Sequence, residues 1–217
     1  MAACLGKCVM FSLNEISATL RKAAIGSGFD VGRAQDIAAA GCWLISSGRD
    51  GAGMVLQAIE AGPQPINFDA ESSHFHNVHV ASCGLGAVDI VEGSDRFVVS
   101  FDPLDVPELM LGFIGVASGA NDNDYTLAFG SKGGVLLCVE PDTSLDDFFG
   151  DKADKMTLWT VRQGVIMSQG AQIGQNDGYR IDLETWVKLL DLAHKTYVPA
   201  SEASRLSGAG AGLVDND

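Results

Sequence analysis

Basic residues are scarce in this chain: Lys and Arg together number 14 against 28 acids, for a net charge of −14. That shortage excludes a nucleic-acid-binding surface, because no basic stripe exists to displace counterions from phosphates. Long apolar runs are also missing. The longest, Leu109 to Ala120, is too short to span a bilayer, which takes roughly 20 residues. The opening lacks a basic region followed by an apolar stretch and a cleavage site, so no membrane association and a cytoplasmic location are expected. The five cysteines (Cys4, Cys8, Cys42, Cys83 and Cys138) show no CxxC spacing. An odd count without a framework suggests free thiols in a reducing compartment.

Apolar residues make up 47% of the 217 and charged residues 19%, which is core-forming rather than disorder-prone material. A single domain over residues 10–217 is expected, with residues 1–9 loose or preceding a natural start at Met10. Its parts are a helical stretch (10–62), a strand-rich acidic stretch (63–163), and a C-terminal helix with a glycine-rich tail (164–217). The acidity is concentrated: residues 69–151 hold fifteen acids against Arg96 and Lys132 alone. A solvated face and a docking surface for a basic partner both fit that pattern.

Local signals place the elements. Ser12 and Glu15 form a capping box ahead of Leu13, Ile16, Leu20 and Ala23, which follow the helical period. A second helix is expected from near Asp30 to Gly48, and a third from Ala52 to Glu60 before Gly62-Pro63. The run Ala38 to Gly41 is small enough for another backbone to approach closely. Alternation predicts strands at Phe75–Ala81, Ala87–Glu92, Phe97–Phe101, Tyr125–Phe129, Val135–Glu140 and Lys155–Gln163. Val106–Ala117 reads as a buried helix and Ile181–Lys195 as an amphipathic one. Partly segregated helices and strands indicate an α+β fold, a helical bundle on a mixed or antiparallel sheet.

Candidate chemistry gathers at the C-terminus. Tyr197, Ser201 and Glu202 are candidate catalytic residues, with Tyr197 or Glu202 as acid or base. Ser204, Arg205 and the alternating Gly208, Gly210 and Gly212 are candidate ligand-binding residues: a guanidinium fork beside a backbone nest that suits a small anion. A passive glycine tail is the competing reading. Asp215-Asn216-Asp217 and Asn121 to Asp124 are oxygen-rich, but neither has EF-hand spacing, and Asn121–Asp124 reads as a turn. His74 and His76 share one face of a strand and form half of a Zn²⁺ or Cu²⁺ set, while His79 has the opposite parity. The nearest carboxylates, Asp69 and Glu71, do not complete a familiar spacing, so no metal ligand set is assigned. Cys83 stands before a glycine turn, as an exposed nucleophile or a packed thiol. His194 is well placed as a cation at a helix end.

The stretch Leu192 to Arg205, with Gly208 to Gly212 and Asp215 to Asp217 after it, resembles an uncharacterised bacterial family of the domain-of-unknown-function kind. Leu20 to Ala24, Gly26 to Phe29 and Trp43-Leu44 before Gly48 to Gly51 resemble it too. The resemblance implies an ordered, functional tail and carries no activity. Residues 12–60 are also similar in pattern to the type-2 malate/lactate dehydrogenases. However, Arg49-Asp50-Gly51 replaces that family's Ser-His-Gly, and its cofactor stretch is missing, so nicotinamide binding is not inferred. The expectation is a soluble protein that binds or transforms a small anionic metabolite at the C-terminal segment, cofactor undetermined. The alternative is an accessory subunit that meets a protein partner or a second copy through its acidic middle.

Overall fold

The computed structural model describes residues 8–93, 98–129, 135–138, 157–162, 165–166 and 178–197. Helix α1 (Leu13–Gly26) opens with the expected capping box: the Ser12 N–H donates to Glu15 Oε2 at 2.9 Å and the Glu15 N–H donates to Ser12 Oγ at 3.3 Å. The Ser12 N–H and then the Ser12 hydroxyl, both donating to Glu15 Oε2, hold the Glu15 carboxyl below its usual range. Ile16, Leu20, Ala23 and Ala24 form its buried stripe. Asp30 caps α2 (Val31–Ser46) by accepting the Arg33 N–H at 2.9 Å, and Asp50 caps α3 (Gly51–Ile59) by accepting the Gly53 N–H at 2.9 Å.

Helix α2 is the centre of the bundle, with α1, α3 and α5 (Pro107–Asn121) packed against it. The small run works as expected. A Cβ at Gly112 of α5 would lie 2.5 Å from the Ala40 carbonyl oxygen, and one at Gly51 would overlap the carbonyl oxygen of Gly41. Both crossings therefore need glycine. The last helix of the described residues, α6 (Leu183–His194), lies on α1.

Among the described residues, two sheets complete the α+β fold. In the smaller, β1 (Cys8–Phe11) pairs antiparallel with β9 (Tyr179–Asp182), and Phe11 stacks on Trp186 of α6 at 3.9 Å. Strand β1 takes in Cys8 and Val9 from the segment read above as loose. The larger sheet is mixed. It comprises β2 (Asn67–Asp69), β3 (His74–His76), β4 (Val98–Phe101), β5 (Tyr125–Phe129), β6 (Val135–Cys138), β7 (Thr157–Arg162) and β8 (Val165–Ile166), in the order β2-β3-β4-β6-β5-β7-β8. Among the described residues, only β3 and β4 pair in parallel.

One stretch departs from expectation. The strand predicted over Phe75–Ala81 stops at His76, and the one over Ala87–Glu92 is instead helix α4 (Val80–Gly93). Val80, Ala81, Gly84, Ala87, Val88 and Val91 are its buried face. A short apolar run satisfies a helical and a strand period alike. The decisive contact comes from afar: the Asp105 Oδ1 accepts the Val80 N–H at 2.9 Å. Among the described residues, no helix is long and apolar enough to cross a membrane.

Candidate metal centre

Strand β3 is only three residues long, and two left-handed residues bracket it: Ser73 at φ 54° and Asn77 at φ 49°. For Ser73 this conformation costs energy, and such strain accumulates where surrounding structure fixes a site. Between them the strand alternates. Phe75 is buried against Phe68 and Phe101, with ring centroids 4.5 and 5.2 Å away, while His74 and His76 share the other face. The parallel register sets His74 beside Ser100 on β4, and Asp102 follows two residues on.

These placements build a cluster. The His74 Nε2 lies 3.1 Å from Asp102 Oδ1, and the His76 Nδ1 lies 3.4 Å from Asp102 Oδ2. The three candidate donor atoms all fall within 4.8 Å of one another. Tetrahedral ligation with bonds of roughly 2.0–2.1 Å sets donors about 3.3 Å apart, so both carboxylate–imidazole spacings already suit one shared ion. The cluster is half open: the side chains of His74, His76 and Asp102 are 23%, 45% and 41% exposed.

A supporting layer is in place. The His74 Nδ1 is 2.8 Å from Ser100 Oγ, whose hydroxyl reaches the Ser73 carbonyl at 3.5 Å. With that hydroxyl donating to Ser73, Nδ1–H donates to Ser100 and Nε2 is left facing the carboxylate. Nε2, 3.1 Å from Asp102 Oδ1, is the ring nitrogen placed to bond the carboxylate or to ligate a metal ion beside it. The hydrogen bond from His74, then the Asn77 N–H at 3.1 Å, holds the Asp102 carboxyl below its usual range, so it stands ionised.

The other candidate residues stand as follows. Tyr197 is exposed; its hydroxyl accepts from Lys22 Nζ at 3.3 Å, and its ring centroid is 5.4 Å from that of His194. Ser201, Glu202, Ser204, Arg205, Gly208, Gly210, Gly212 and Asp215 to Asp217 lie outside the described residues. Asp69, weighed above as a neighbour of the histidines, accepts instead from the Glu71 N–H and the Ser72 hydroxyl. Of Asn121–Asp124, read above as a turn, Asn121 is the last residue of α5, with its amide on Glu92, and Asp122 caps the helix in the left-handed region at φ 56°. Of the two readings of Cys83, the packed thiol is the one found: it is a buried residue inside α4, and burial first, then Asp105, pushes its thiol up to about 12. It is not an exposed nucleophile.

Asp102 is the residue that sequence reasoning missed. The signal was its parity: Ser100-Phe101-Asp102 alternates like His74-Phe75-His76, and pairing the two strands puts all four polar groups on one face.

Residues 11–83 match a family model described as "Protein of unknown function (DUF3726)". Over that span, about a third of the chain, it is similar to an uncharacterised family. The matched span takes in the three N-terminal helices, His74 and His76, and ends before Asp102. No curated protein and no solved structure matches the chain.

Proposed function

We propose that this chain binds a divalent transition-metal ion through His74, His76 and Asp102 and offers the ion's open positions to a small anionic ligand. The observation that carries this reading is the convergence of the three donor atoms within 4.8 Å. Two imidazoles and one carboxylate suit Zn²⁺, Co²⁺ or Fe²⁺ better than Mg²⁺ or Ca²⁺, which favour oxygen alone. Three protein ligands leave at least one position free, the arrangement found where a metal polarises a ligand or activates water. The ion also supplies positive charge inside the most acidic third of the chain, where an anion otherwise meets fifteen carboxylates.

Tag-free protein titrated with Co²⁺ tests the reading through stoichiometry and the visible spectrum of the bound ion. One Co²⁺ per chain is expected, lost in His74→Ala, His76→Ala and Asp102→Asn. Ser100→Ala is expected to weaken binding about 10–100-fold by freeing His74 to rotate. If Asp102→Asn binds Co²⁺ as the parent does, the reading fails.

A further inference from the structure

The start of α4 carries a second group of reactive side chains, independent of the histidine–aspartate cluster. Ser82 Oγ lies 3.0 Å from His79 Nδ1. The Ser82 oxygen already accepts the Gln64 N–H at 2.9 Å, so its own proton is free to point at His79. The far side of that imidazole, Nε2, is a buried atom with no hydrogen bond and lies 3.5 Å from Asp105 Oδ2. The Asp105 carboxylate is fixed in turn, its Oδ1 accepting the N–H groups of Val80 and Val106 at 2.9 Å each. A hydroxyl within reach of a base, itself backed by an anchored carboxylate, is the arrangement that activates a serine.

Ser82 also has somewhere to receive a substrate. It lines a cleft of about 200 Å³ between α2, α4 and α5, together with Arg33, Asp36, Leu85, Asp89 and Phe113. Cys83, its neighbour, is absent from that lining, although both residues are buried, at 3% and 7% exposure for Cys83 and Ser82. Of the two adjacent nucleophiles, the serine faces both the base and the cleft.

We infer that Ser82 is an acyl-accepting nucleophile, with His79 as its base and Asp105 orienting His79, acting on a small neutral or cationic ester. Leu85 and Phe113 give the acyl chain an apolar wall, and Asp36 and Asp89 disfavour an anionic substrate. Ser82 Oγ adds to the ester carbonyl carbon as its proton passes to His79. The carbon–oxygen bond to the alcohol breaks, and the alcohol leaves with that proton. Water then hydrolyses the acyl-serine, releasing the carboxylic acid and restoring the hydroxyl. Arg33, the one cation among the lining residues, is the group available to meet charge on the carbonyl oxygen.

The full chain, kept in chelator so that no metal contributes, is treated with an alkyl fluorophosphonate, and the adduct is mapped by mass spectrometry. Expected is one adduct on Ser82, none on Ser82→Ala, and labelling slowed about 10²–10⁴-fold in His79→Gln, the usual contribution of a general base. Ser82→Ala strands the Gln64 amide, so Gly86→Leu serves as a second variant. A Cβ at Gly86 meets nothing within 4 Å, so the helix accepts a side chain there, and a leucine at this lining position fills the cleft one turn from Ser82. Labelling of Gly86→Leu is expected to fall at least 10-fold. A folded parent that takes no label, or an adduct mapped to another residue, overturns the inference.

Discussion

Two aspartates in one cleft show what single residues cost this fold. Burial first, and then Asp89, raises the Asp36 carboxyl; burial first, and then Glu92, raises Asp89. Their folded-state affinity for protons exceeds the unfolded one. They therefore favour the folded state at pH below the ordinary value of 3.8 and lose that contribution as pH rises through their raised values. At neutral pH both are charged and repel. Asp89→Asn is accordingly expected to stabilise the protein at pH 7, by a few tenths of a kcal/mol after solvent screening, with the gain vanishing towards pH 3. Denaturant melts of both proteins at the two pH values check this. A variant less stable at pH 7 would mean that Asp89 makes a contact outweighing the repulsion. Asp102 has the opposite sign: its carboxyl is lowered, and its contribution is present above 3.8 and lost only as pH falls through the lowered value.

At the scale of elements, the close crossing of α2 and α3 makes a sharper demand. Gly51→Ala would press a methyl onto the Gly41 carbonyl oxygen and to within 3.0 Å of Leu44 and Ile45. A cost of about 1–3 kcal/mol is expected, measured as a shift in denaturation midpoint at constant slope; an unchanged midpoint would show that α3 can slide away. These three helices were legible because their information is local. Ser12, Asp30 and Asp50 cap residues three positions on, and the apolar stripes repeat within each helix. Helix α4 was not, since its cap is Asp105, 25 residues away. The candidate site divides in the same way. His74 and His76 can be seen as a pair from spacing alone, but Asp102 joins them only through the parallel pairing of β3 with β4. Ser82, His79 and Asp105 repeat the lesson: the first two are neighbours in sequence, and the third arrives by tertiary packing.

For the whole molecule, the proposed metal ties together segments that folding must bring from afar. His74 and His76 lie on β3 and Asp102 just beyond β4, so a shared ion clips the parallel junction of β3 with β4. An ion bound only by the native state stabilises it by mass action, by about 2.7 kcal/mol at a hundredfold excess over Kd. For a domain of this size that corresponds to a rise in Tm of roughly 5–10 °C. The comparison needed is Zn²⁺ against chelator, in the parent and in Asp102→Asn. A rise confined to the parent is expected. An equal rise in both proteins would place the ion elsewhere, and no rise would leave the His74–Asp102 contact as an ordinary ion pair holding β3 to β4. The three outcomes separate because Asp102 supplies one ligand while the two histidines, on their own, keep the folded chain only a weak two-point hold on the ion.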